Sequence, residues 1–225
     1  MPRMRRLSAM SAALLLAFTT TVSADTLLFD YVGFDYENPD PNPATFGEAG
    51  SGYIGIGTVP GIFLPLVADS SQNQYTYIVS GLTPVSTQAF GTYVIVDYSS
   101  GSLSIYEDAK LGGTSAEYGN FPPNATAPST FIDGSLFLTG TLNGFQFVYN
   151  SATNSGSYNA TYTITGGSQL VNVPINQRDG WTFAGASGNA LVTPDGYLHQ
   201  VDGQNFLGAV PARTSSWGRI KASYR

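Results

Sequence analysis

Tyr158, Ala160, Tyr162 and Ile164 alternate with Ser157, Asn159, Thr161, Thr163 and Thr165, and this period of two constrains the chain more than any other feature. Such a segment is an extended strand with one apolar face to bury and one hydroxylated face to wet. The same pattern recurs in "GSLSIYE", where Leu103 and Ile105 oppose Ser102 and Ser104, and in "DGSLFLTGTLNG", where Leu136, Leu138 and Leu142 share a face. "DTLLFDYVGF" and "SGYIGIGTV" are the first two strands, and "YTYIVSG" and "TYVIVDY" have the β-branched and aromatic content of central ones. Helical periodicity is almost absent.

Turn dipeptides punctuate these runs: Asp133-Gly134, Asn143-Gly144, Asp179-Gly180, Asp195-Gly196 and Asp202-Gly203. Each favours the positive φ of tight turns, and "LNGFQFVY" reads as a hairpin turning at Asn143-Gly144. Short strands with such turns between them indicate an all-β domain. The expected architecture is an antiparallel two-sheet sandwich of jelly-roll type, with a closed up-and-down β-barrel as the alternative. Three stretches fall outside the strands: the proline-rich loop "DYENPDPNPATFGE", the apolar "GIFLPLVADSSQNQ" broken by Pro65, and the long polar loop "EDAKLGGTSAEYGNFPPNATAPS".

The first 24 residues stand apart. Arg3, Arg5 and Arg6 precede the apolar run "LSAMSAALLLAF", and Val22-Ser23-Ala24 supplies a small-residue cleavage pattern. That is the plan of a secretory signal peptide, and the apolar run is too short to cross a bilayer. The chain is therefore expected to be exported, whether to a periplasm, to the medium or to a cell surface. Residues 25–210 form a single all-β domain and residues 211–225 a basic tail. The chain has no cysteine, so its core must hold without disulfides.

Removing the leader leaves six basic against fifteen acidic residues, a net charge of −9. Phosphate-bearing partners repel such a body, which excludes nucleic acid as its ligand. The basic residues are unevenly placed. Lys110 and Arg178 are the only ones between Asp25 and Val210, whereas residues 211–225 hold Arg213, Arg219, Lys221 and Arg225 and no acid. In the tail, Trp217, Ile220, Lys221 and Tyr224 are spaced i, i+3, i+4 and i+7, the face of a short amphipathic helix.

No catalytic motif is present. The single histidine, His199 in "GYLHQVDG", has no cysteine to pair with, no G-x-S-x-G elbow accompanies it, and zinc would lack ligands. His199 is expected in a turn or loop. Asp30 and Asp97 lie inside apolar strands, where an acid needs a partner or an outward position. The oxygen-rich "DYENPDPNP" offers Asp35, Glu37, Asn38, Asp40 and Asn42, a ligand set of the kind calcium takes; a solvated acidic loop stiffened by proline is the plain alternative. Asp195 and Asp202 around His199 form a weaker set. Tyr31, Tyr36, Tyr53, Tyr118, Tyr149 and Trp181 stand near turns, where flat rings can stack on sugars, although tyrosines of this kind ordinarily join the core. Asn124 and Asn159 begin sequons. The chain thus reads as an exported, non-enzymatic surface, matrix or binding module for a glycan or another cell-surface component. A carbohydrate-active jelly roll, lectin-like or hydrolytic, is the alternative.

Overall fold

A computed structural model describes residues 26–42, 45–110, 128–188 and 196–207. The expected signal peptide and the basic tail lie outside the described residues. Ten strands run in chain order: β1 Thr26–Glu37, β2 Tyr53–Ile62, β3 Asn73–Leu82, β4 Pro84–Phe90, β5 Tyr93–Tyr98, β6 Gly101–Ala109, β7 Ser135–Asn150, β8 Ser155–Gly166, β9 Trp181–Gly188 and β10 His199–Leu207. Every pairing is antiparallel. Strands β1, β2, β3, β6, β7, β8, β9 and β10 each pair with the next, and β10 returns to β1. The all-β expectation holds, and the strands close into one up-and-down barrel instead of dividing into the two sheets of a jelly roll.

Two devices account for closure. Irregularities in register at Leu27/Phe29, Asp30/Val32, Tyr53/Gly55 and Ile105/Tyr106 coil the sheet. Inward glycines then let neighbouring groups come close. A Cβ on Gly33 would sit 2.0 Å from the Ile56 carbonyl oxygen, and one on Gly57 would sit 2.2 Å from that of Val32. Gly203 gives its space to Tyr31, whose hydroxyl would be 2.2 Å from an added Cβ; Gly185 does the same for Tyr158, at 2.5 Å.

Those rings fill the barrel. Phe29, Tyr31, Tyr77, Phe145, Phe147, Tyr158, Tyr162, Trp181 and Phe183 belong to one buried cluster with Val79, Leu103, Ile105, Leu138 and Val201. Tyr31 stacks on Phe183 at 4.6 Å, and Phe145 stacks on Tyr158 at 5.6 Å. A smaller cluster lies outside the wall, where Phe131 and Tyr197 cover Phe34, Tyr36 and Ile56. Elsewhere the outer face is hydroxylated, with Ser104 Oγ bonded to Thr139 Oγ1 at 2.6 Å across β6 and β7.

Asn143-Gly144 is not a hairpin turn. Strand β7 runs through it for sixteen residues, and only Gly144, at φ +63°, takes the positive conformation. The dipeptide marks a bulge where β7 changes partner on one edge, from β6 through Leu142 to β5 from Gln146 onward. The β4–β5 hairpin thereby extends the wall beyond the end of β6. Asp202-Gly203 likewise lies within β10, not at a turn. In the apolar 61–74 stretch, Leu66 enters the core while Leu64 stays exposed, so this segment plugs one barrel end in part.

The glycine contacts give a direct test. Gly33→Ala is expected to cost about 3 kcal/mol in urea denaturation, because the obstacle is backbone that cannot yield. Gly55→Ala, whose Cβ would meet nothing nearer than Val79 Cβ at 3.6 Å, is expected to stay within about 1 kcal/mol of wild type.

Candidate functional site

The alternation of β1 does not stop where the apolar residues stop. Tyr31, Gly33, Asp35 and Glu37 all point inward, and the register of β1 against β10 sets Tyr31 opposite Gly203, Gly33 opposite Val201 and Asp35 opposite His199. Asp35 and His199 therefore meet inside the barrel mouth, 0% and 3% exposed. The Asp35 Oδ1 accepts hydrogen bonds from the His199 backbone N–H and from Nδ1, each at 2.9 Å, and Oδ2 accepts a longer one of 3.3 Å from the Tyr53 hydroxyl. An ionised carboxylate can only accept, so Nδ1 of His199 carries the proton. The imidazole is walled by Tyr149, Phe46 and Phe147, with ring centroids at 5.3, 5.6 and 6.3 Å.

Glu37, 7% exposed, stands one inward position further along. Its Oε1 accepts from Ser51 Oγ at 2.9 Å and from the Gly47 N–H at 3.0 Å. These bonds draw the loop after β1 back over the mouth, where Asn38 N–H donates to the Gly52 carbonyl at 2.7 Å. Phe46 then packs on Phe147 and Tyr149, and the Gly47 carbonyl accepts from Thr87 Oγ1 of β4. Burial pushes the Glu37 carboxyl up from its ordinary value, against the lowering effect of its two hydrogen bonds. Burial also raises the Tyr98 hydroxyl, with the negative charges of Glu37 and Asp35 adding to it.

The five residues proposed from sequence as calcium ligands fall into two environments. Asp35 and Glu37 are strand residues inside the barrel, whereas Asn38, Asp40 and Asn42 belong to the loop, where Asp40 Oδ1 accepts from the Asn42 N–H at 3.2 Å. Among the described residues no three His, Cys, Asp or Glu side chains gather as a metal site. His199 is a buried strand residue and not a turn residue. Asp30 and Asp97 face outward, bonded to Gln204 Nε2 at 2.7 Å and Gln146 Nε2 at 2.8 Å on neighbouring strands. Tyr31, Tyr53 and Trp181 are core residues, Tyr36 is covered by Tyr197, and Tyr149 lies against Phe46 and His199. Asn159 is exposed on the outer face of β8; Tyr118, Asn124 and Asp195 lie outside the described residues.

The Asp35–His199–Glu37 group was missed because the segment from Asp35 onward reads as loop. The signal was present: the period-two step from Tyr31 through Gly33 continues onto Asp35 and Glu37, and His199, Val201, Gly203 and Asn205 repeat it on β10. Chemically, the arrangement is an acid–histidine pair sealed behind aromatic rings, suited to joining β1 to β10 and to seating the loop. Comparison of the chain with protein-family models, curated proteins and solved structures finds no match.

Two outcomes follow from the burial. Asp35→Ala strands the His199 donors and the Tyr53 hydroxyl, and is expected to cost about 3–5 kcal/mol in urea denaturation. Asp35→Asn keeps an acceptor and is expected to cost less. For Glu37, a raised carboxyl pKa means that the folded state holds the proton more tightly than the unfolded state does. Its contribution therefore falls as pH climbs from the unfolded value through the raised one. Glu37→Gln removes this dependence. Measured by thermal denaturation, the stability of Glu37→Gln relative to wild type is expected to be higher near pH 8 than near pH 4.

Proposed function

We propose that the chain is an exported, non-enzymatic surface, matrix or binding module that meets its partners with the outer wall and end loops of a solid barrel. One observation carries this reading: the barrel axis is occupied by aromatic side chains, and the single histidine and its acid lie buried among them. An eight-stranded barrel can hold a small ligand only where side chains leave it room. Catalytic groups must also touch substrate, and Asp35, Glu37 and His199 are turned away from solvent. The polarity of the wall agrees. A transmembrane barrel is apolar outside and polar inside. Here Tyr158, Ala160, Tyr162 and Ile164 of β8 face in, and Ser157, Asn159 and Thr161 face out. The signal-peptide pattern supports export, and the hydroxyl- and amide-rich exterior suits a glycan or another cell-surface component.

The carbohydrate-active alternative draws on the convergence of Asp35 and Glu37 on one face of β1, because glycosidases use paired carboxylates. A glycan array, run with and without calcium, separates the readings together with an assay of sugar release from polysaccharides. Binding that survives in Asp35→Asn and Glu37→Gln, without sugar release, is the expected result. Sugar release that disappears in both variants would overturn the non-enzymatic reading. Binding lost only when calcium is withdrawn would assign the ion to the loop bearing Asn38, Asp40 and Asn42. Mass spectrometry of the exported protein is expected to place its N-terminus at Asp25.

A further inference from the structure

The two ends of the barrel differ. The loop after β1 closes one. At the other, strands β1 and β10 begin and end, at Thr26 and Leu207, beside the β2–β3, β6–β7 and β8–β9 connections. Phe63, Leu64 and Val67 of the first connection and Val171 and Ile175 of the last stand exposed there, with Leu64, Val171 and Ile175 at 76, 84 and 82%. The two connections touch, since the Val67 N–H donates to Gln169 Oε1 at 3.0 Å. Of the ten large apolar side chains exposed among the described residues, these five lie at this end; Val85, Phe90 and Tyr93 are on the β4–β5 hairpin, and Ile132 and Leu136 lie just before and within β7. A concentration of that kind marks a surface made to be covered.

The chain leaves the barrel at this same end. Residues 208–213 can span about 20 Å from Leu207, far enough to reach the β2–β3 and β8–β9 connections. The residues that follow carry Trp217, Ile220 and Tyr224 at helical spacing, with Arg219, Lys221 and Arg225 around them. The barrel end offers the complementary charge: Asp69, Asp133 and Asp179 are exposed in its turns and outnumber Lys110 and Arg178, the two basic residues among the described ones. A twelve-residue helix is too short to persist alone in water, so its apolar face requires a surface. We propose that residues 214–225 dock as a short amphipathic helix on the apolar end of their own barrel, with Trp217, Ile220 and Tyr224 against Leu64, Val171 and Ile175. This covers the end opposite the β1 loop and draws the basic tail onto the acidic body.

The absence of cysteine makes the test clean. In the full mature chain, Val171→Cys carries a nitroxide, which quenches tryptophan on contact, and Thr153→Cys carries the same label at the opposite end. The emission of Trp217 is taken as the difference between each labelled chain and its Trp217→Phe counterpart. The label at 171 is expected to remove most of that emission and the label at 153 to leave it. Leu64→Asp combined with Ile175→Asp changes exposed positions only, and is expected to shift Trp217 emission to the red. Equal emission from both labelled chains, or no red shift, would overturn the proposal. So would quenching that arises only on mixing unlabelled chain with labelled Trp217→Phe chain, which would seat the tail on a second copy.

Discussion

The pairing of β10 with β1 is the contact on which the rest of the barrel depends. It joins the two sequence extremes of the domain, so it carries the largest loop-closure entropy of any pairing in the fold. Without it, β1 and β10 would be open edges with unpaired backbone groups. The seam is accordingly reinforced along its length. Tyr31 lies over Gly203 and bonds to the Ala184 carbonyl at 3.1 Å, reaching past β10 to β9. Asp35 bonds both the backbone and the ring of His199. The buried acid–histidine pair is thus a closing element of the seam, and its position follows from the register that also stacks Tyr31 on Phe183.

From this seam the two ends acquire different characters. At the Asp35 end, Glu37 and His199 anchor a loop whose Phe46 seals the mouth; the polar groups there are buried, with Glu37 bonded through Oε1 and its Oε2 left without a hydrogen-bond partner. At the other end the connections expose apolar side chains instead, beside the point where the chain departs. The wall between them is hydroxylated and the body acidic.

Much of the strand content was legible because alternation survives in the sequence wherever one face is buried and the other wet. "SYNATYTIT" is the clearest case, and β8 buries Tyr158, Ala160, Tyr162 and Ile164 as the pattern requires. Closure was not legible, because nothing local distinguishes a barrel strand from a sandwich strand; the difference lies in pairing between residues far apart, such as Asp35 and His199. Glycine was the most misleading residue. Gly144 and Gly203 look like turn signals, yet one permits a bulge and the other makes room for a tyrosine ring. The acids misled for a related reason. Asp35 and Glu37 adjoin a proline-rich loop and read as solvated, whereas the strand continues through them and turns both inward.

The histidine offers the most direct measurement. The chain has one, so its ring signals in a nitrogen-correlated NMR spectrum need no assignment. If β10 closes on β1 with Asp35 and His199 sealed behind Phe46 and Tyr149, the Nδ1 proton exchanges slowly with water at neutral pH. It also shows nuclear Overhauser contacts to the Phe46 and Tyr149 rings. A ring whose Nδ1 proton is lost to rapid exchange, with no contact to either aromatic ring, would contradict the closed and filled barrel from which the functional reading is drawn.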